Sequence, residues 1–194
     1  MECRTCAIAD AEADTPRGSI VTAARRGTGV SYAGLSKLLV VPDGFEAPRV
    51  LTHGDLTARP LSRECLADDV RAINADRELI NATRGGGWPD GPTSEEDDYI
   101  DLVWHEGEWK ENKSFSYVLE TPTLGYVGCA YLYPLGVRQE LSEELAAYDV
   151  DVSWWVTTEA YEQGLYEVVH EALEKWVPAH YPFRRPHFSN VELP

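Results

Sequence analysis

The sequence predicts an α/β domain, and three patterns carry that reading. In residues 147–176, Val150, Val152, Trp154 and Val156 alternate with Asp149, Asp151, Ser153 and Trp155. That period of two puts one set on each face of a strand. A polar break containing Gly164 follows. Leu165, Val168, Val169, Ala172, Leu173 and Trp176 then recur with the spacing of one helical stripe. Upstream, residues 115–120 and 125–133 are apolar, aromatic-rich runs flanking Thr121-Pro122-Thr123-Leu124, the signature of a hairpin. A strand that turns directly into a helix aims the first N–H groups of that helix above the strand end, a setting that suits an anion.

Composition narrows the class. A chain of 194 residues with 43% hydrophobic and 26% charged residues is ordinary for one globular domain. No apolar run reaches the ~20 residues needed to span a bilayer, and no secretory pattern opens the chain, so neither a membrane nor export is expected. The formal charge of −16 argues against nucleic acid as a partner and mildly favours a cationic or neutral ligand. Cys3 and Cys6 lack a second ligand pair at zinc spacing, and Cys65 and Cys129 sit in apolar patterns as core residues. No metal site is expected, and four unpaired thiols suit the cytoplasm.

Taken in order, residues 1–36 show no sustained periodicity and read as a flexible arm, leaving 37–194 as the domain. Pro42-Asp43-Gly44 marks a turn, and residues 51–61 a strand. Ser62 is a cap for a helix over residues 64–78 with Leu66, Val70 and Ile73 on its inner stripe. The loop at residues 82–92 holds Gly85-Gly86-Gly87 without the Lys-Ser/Thr of a phosphate loop, and reads as a linker or lid. Thr93 and Glu96 form a capping box for a helix to Lys110, with Tyr99, Ile100, Val103 and Trp104 expected inward and His105 at its boundary. Gly128 marks a bulge or a close contact. Residues 134–146 form an acidic loop, and residues 183–191 a last strand that Pro186 moves to an edge.

Asp151-Val152-Ser153-Trp154-Trp155-Val156 resembles the central strand of the GNAT superfamily of acetyl-CoA-dependent N-acetyltransferases, most of all the branch that modifies ribosomal-protein N-termini and small amines. Leu56-Thr57-Ala58-Arg59-Pro60-Leu61 resembles that family's first strand, and Val127-Gly128 the opening of a later one. The resemblance covers residues 51–191. It implies a mixed, mostly antiparallel sheet flanked by helices on both faces, acetyl-CoA as cofactor, and a small-molecule or peptide amine as acceptor. The family's pyrophosphate loop reads Arg or Gln, two residues, Gly, one residue, Gly or Ala. Here the outer positions are Tyr161 and Tyr166 around Gly164, and Glu159, Glu162 and Glu167 make the loop acidic. The family's last helix and strands are expected to be missing, and a homodimer would cover the sheet edge they leave.

The resemblance implies site residues as well. Asp151 is the first candidate general base and Asp149 the second, on one strand beside Trp155. The backbone of Val156 and the N–H groups of Gln163, Gly164 and Leu165 would hold the coenzyme A arm. Trp88 and Trp155 would wall the acceptor site, and Tyr181 and His187 are candidate proton donors. The alternative is a diverged scaffold without coenzyme A that binds another ligand or partner, or runs a coenzyme-independent reaction in the same cleft.

Overall fold

The computed structural model describes residues 32–191; the arm proposed for residues 1–36, including Cys3 and Cys6, lies mostly outside them. Six strands form one sheet in the order β1-β2-β3-β4-β5-β6, namely Leu51–His53, Leu56–Pro60, Phe115–Thr121, Gly125–Tyr133, Val150–Val156 and Pro186–Phe188. Every neighbouring pair is antiparallel except β5 and β6, which are parallel. The helices are α1 (Leu66–Arg84), α2 (Glu95–Lys110), α3 (Thr158–Glu162) and α4 (Leu165–His180). This is the mixed, mostly antiparallel α/β sheet the sequence predicts. None of the helices is long and apolar enough to cross a membrane.

β5 is buried at all seven positions because it is covered on both faces. Val150, Val152, Trp154 and Val156 join the core under α4, with Val169, Ala172, Leu173 and Trp176. Trp155 belongs to the opposite core under α1 and α2, with Ile73, Ile80 and Leu102. The alternation read from the sequence therefore sorts this strand between two cores.

Three local readings differ. Residues 51–61 are a hairpin, β1 and β2, turning at Gly54-Asp55. α2 starts one residue later than the capping box suggests: Ser94 accepts from the Asp97 amide, because the backbone N–H and C=O of Thr93 are both held by the Asn74 carboxamide. α2 is also rolled about its axis. It buries Asp98, Leu102 and His105, and leaves Tyr99, Ile100, Val103 and Trp104 at the surface. His105 explains the roll. Its ring stacks on Tyr133 and its Nδ1 lies 2.9 Å from Ser116 Oγ on β3, so a hydrogen-bonded polar group takes the inner face.

Gly128 does the work expected of it. The β3–β4 register slips between Leu119 and Glu120, and a Cβ at Gly128 would stand 2.1 Å from the Trp155 carbonyl oxygen and 2.8 Å from the Val156 Cα. Its φ is 145°, a region L-residues rarely adopt. Gly128→Ala is expected to cost about 3 kcal/mol, from backbone strain plus overpacking against β5. Thermal melts of the variant check this, and a melting point unchanged from wild type would contradict the close approach.

Candidate functional site

Two regions are candidates, one at the β5 edge that faces away from β4 and one on the α1–α2 face of the sheet. The first is the end of β5 and the start of α4. The sequence expects one tight turn here, but Thr157 caps the five-residue α3 and Gly164, with φ of 76°, leads into α4. A side chain at Gly164 would meet nothing within 4 Å, so the start of α4 opens outward. Gln163 and Gly164 are exposed and Leu165 half-buried around this opening. The first-turn amides of a sixteen-residue helix have no partners within their helix and carry its positive pole.

Along the β5 edge, the chain supplies an unusual partner. The Asn190 carboxamide accepts from the Trp154 amide at 3.0 Å and donates to the Trp154 carbonyl at 2.8 Å, imitating a neighbouring strand. Asn190 also donates to the Tyr166 hydroxyl at 2.7 Å, and Tyr166 donates in turn to the Thr83 carbonyl at 3.3 Å. The Val191 amide reaches the same Thr83 carbonyl. Residues 189–191 thus tie β5 to the end of α1. Val156 lies two residues on along the same edge, since the intervening residues pair with β4.

The second region is a cavity of about 280 Å³ on the α1–α2 face of the sheet. Its cationic wall is Arg84, at the end of α1, and Arg138, from the β4–β5 loop. Aromatic walls come from Trp88, Tyr131 and Tyr133, and α2 adds Asp101 and His105. His105 Nε2 is 3.2 Å from Asp101 Oδ2 in the cavity lining, and its Nδ1 is hydrogen-bonded to Ser116 in the core. His105 is buried, not at the boundary as its sequence context suggested. Burial pushes the Tyr131 and Tyr133 phenols well above their ordinary range, which leaves them neutral.

The two acids singled out from the sequence part company. Asp151 is 1% exposed, accepts from the Ser189 hydroxyl, and lies 3.8 Å from Arg138. Its second oxygen has no hydrogen-bond partner, and burial raises its pKa. Asp151 stands behind Arg138 and does not line the cavity. Asp149 precedes β5; its carboxylate accepts from the Arg184 and Arg185 amides, both at 3.0 Å, and pairs with Lys37. Trp88 lines the cavity. Trp155 is wholly buried and donates to the Tyr131 hydroxyl at 3.0 Å, so Tyr131 is the wall that reaches the cavity. Tyr181 is bonded to Tyr117 within the α4-side core, and His187 is half-buried beside Gln139; neither lines the cavity. Arg84, Arg138, Tyr131 and the Asp101–His105 pair had no sequence signal beyond residue type, because four separate segments bring them together.

A coenzyme A arm can be tested against these residues. The first-turn amides of α4 and the open space at Gly164 suit a diphosphate, whereas the Gln163 and Gly164 amides already donate to the Ala160 and Tyr161 carbonyls. The β5 edge at Trp154 already holds a carboxamide, the chemistry of the two amides in that arm. The residues fit the group, with Asn190 occupying the place the arm would take; the acidic side chains of Glu159, Glu162 and Glu167 weaken the attraction for a polyanion by ~1 kcal/mol or less each.

Beneath α2, Asp69 and Asp98 form a buried acidic pair. Burial raises the Asp69 carboxyl to about 6 and, with Asp69 and Asp101 adding repulsion, Asp98 to about 7. Both acids hold their proton more tightly folded than unfolded. Their contribution is therefore complete below the ordinary carboxylate range and is lost as pH rises through 6 to 7. Asp98→Asn is expected to raise the melting temperature at pH 8 and leave it nearly unchanged at pH 4. An equal shift at both pH values would contradict a buried, titrating Asp98.

No protein-family model matches the chain, and no curated protein matches it. Solved structures do. A ribosomal L7/L12 alpha-N-protein acetyltransferase (RimL) in complex with coenzyme A aligns at a TM-score of 0.50 and 12% identity, over 65% of this chain and 66% of its own length, just under two thirds. The same type of enzyme without ligand aligns at 0.50 and 12% identity over 74% and 72%. The acetyltransferase that modifies the N-terminal serine of L7/L12 in Salmonella typhimurium aligns at 0.50 and 10% identity over 67% and 69%. At this identity the likeness is one of architecture, and the chain carries the fold of the GNAT N-acetyltransferases.

Proposed function

We propose that the chain is an N-acyltransferase that moves an acetyl group from acetyl-CoA to the amine of a small molecule or peptide N-terminus. One observation carries the reading: a β5 edge that binds a carboxamide runs into the open N-terminus of α4, and an aromatic, polar cavity lies on the α1–α2 face of the same sheet, walled by Tyr131 and Tyr133 of the neighbouring β4. The Leu165 amide and its neighbours in the first turn of α4 would hold the diphosphate, since the Gln163 and Gly164 amides already donate to the Ala160 and Tyr161 carbonyls, and the backbone of Trp154 and Val156 would hold the arm. The bound group would supply a thioester, an acyl carbon activated toward amines.

The acceptor enters as an ammonium and has to lose a proton before it can attack. Asp101 is the carboxylate that lines the cavity; His105 Nε2 lies 3.2 Å from it, and Ser116 fixes the other ring nitrogen of His105. We assign proton acceptance to this pair. Asp151 acts at one remove, by fixing Arg138, and is a positioning residue.

The alternative reading is a scaffold of this fold that does not use coenzyme A. It is favoured by the Asn190–Tyr166–Thr83 tie, which closes the edge the arm would need. Calorimetric titration with acetyl-CoA separates the two. Micromolar binding is expected, lost in Gly164→Trp, where the helix start is blocked, and tighter in Asn190→Ala, where the internal competitor is gone. Absence of binding at millimolar cofactor in both wild type and Asn190→Ala would retire the acyltransferase.

The proton-transfer assignment has its own test. Asp101→Asn is expected to lower turnover by ~10²-fold and remove the acidic limb of the pH profile. Asp151→Asn is expected to raise KM with the pH profile kept in shape. The reverse pattern would make Asp151 the base.

A further inference from the structure

Arg84 is the most unusual charge in the molecule. It is 6% exposed in a chain of formal charge −16, and no carboxylate among the described residues pairs with it. Its Cζ lies 4.0 Å above the Tyr131 ring and 5.0 Å from the Trp88 ring. Such contacts use the flat face of a guanidinium and leave its N–H edge unspent. Of five donors, one makes a long contact, Nε to Ser153 Oγ at 3.5 Å. Those remaining donors open into the cavity, where water or a ligand completes them.

The neighbour makes the deficit larger. Arg138 lines the same cavity and is close enough to Arg84 for their charges to repel. Arg138 is locked by Ser189, by the Arg84 and Gly85 carbonyls, and by Asp151 at 3.8 Å. That one carboxylate serves two guanidiniums and sits on the far side of Arg138 from the cavity. Asp101, the other acid near the cavity, is engaged by His105. Asp101 and Asp151 balance the two arginines in number, but neither carboxylate pairs with Arg84, whose free N–H edge opens into a space walled by Trp88, Tyr131 and Tyr133.

We infer that this cavity binds the acid group of its ligand, a carboxylate or a phosphate, on the N–H edge of Arg84 with Arg138 beside it, and the ligand's planar or apolar body against the aromatic walls. The anion site stands on the cavity alone. Its consequence for the acceptor rests on the acyltransferase reading: the amine that reacts also carries an acid group, as an α-amino acid does, with its cation toward Asp101 and its anion toward Arg84. Planar, fork-shaped guanidinium donors match both carboxylate and phosphate oxygens, so the two sources share one chemistry.

The test begins without coenzyme A. Phenylacetate, phenylphosphonate and the uncharged phenylacetamide are titrated into the wild-type protein by calorimetry. At least one acid is expected to bind ~10-fold or more tighter than the amide, and the preferred acid distinguishes carboxylate from phosphate. Arg84→Gln, checked for folding by its melting temperature, is expected to erase the difference. Equal binding of amide and acids, or no binding of either acid at millimolar concentration, overturns the site in the wild-type protein alone. With acetyl-CoA added, L-phenylalanine is expected to be acetylated and phenethylamine not. Equal turnover of both would overturn the acceptor assignment. Binding of acids with no acetylation of any amine would support the anion site and remove the acyltransferase reading instead.

Discussion

The constraint from which the rest of the structure follows is that β5 is buried on both faces while one of its edges stays short of partners. Each face demands its own core, one under α4 and one under α1 and α2. A central strand wrapped this way reads as a nearly continuous apolar run, and its few polar residues have to be satisfied locally. Ser153 meets that demand through Arg84, and Asp151 meets it at one oxygen, through Ser189 and Arg138. The tight approach of β4, possible only because Gly128 lacks a side chain, fixes β5 against its neighbour on one side. On the other side, β6 covers only Val150–Val152.

Beyond that point the edge is completed by a side chain. A carboxamide is the smallest group that reproduces both the donor and the acceptor of a peptide, so Asn190 extends the sheet by one strand without any further backbone. The same residue links Tyr166 at the start of α4 to Thr83 at the end of α1. The tie therefore couples the helix that would hold a diphosphate to the helix whose last residue, Arg84, looks into the cavity. A ligand on one side of β5 has a direct physical route to affect the other.

Electrostatics set the cavity apart from the molecule around it. The chain carries a large negative charge, and Asp69 and Asp98 remain partly protonated near neutrality because burial and mutual repulsion disfavour their anions. Against that background, two arginines line one cavity with Asp101, and no carboxylate among the described residues pairs with Arg84. Aromatic faces lower the cost of burying Arg84 but do not use its donors, which is the property that gives the site its preference for an anion.

The sequence by itself determined the elements whose periodicity is local and strong: the β3–β4 hairpin, β5 with its two-faced alternation, the stripe of α4, and the need for a glycine at position 128. These are set by neighbours within a few residues, and the resemblance in Asp151–Val156 carried them to the right fold. Tertiary structure decided what local pattern could not. It rolled α2 so that His105 rather than Trp104 faces inward, because a hydrogen bond to Ser116 and a stack on Tyr133 exist only once the sheet is formed. It split the hairpin out of residues 51–61, put Tyr131 rather than Trp155 on the cavity wall, and set Asp151 behind Arg138. The cavity itself was invisible in the sequence, since Arg84, Asp101, Tyr131 and Arg138 lie on four segments that only the closed sheet brings within reach of one another.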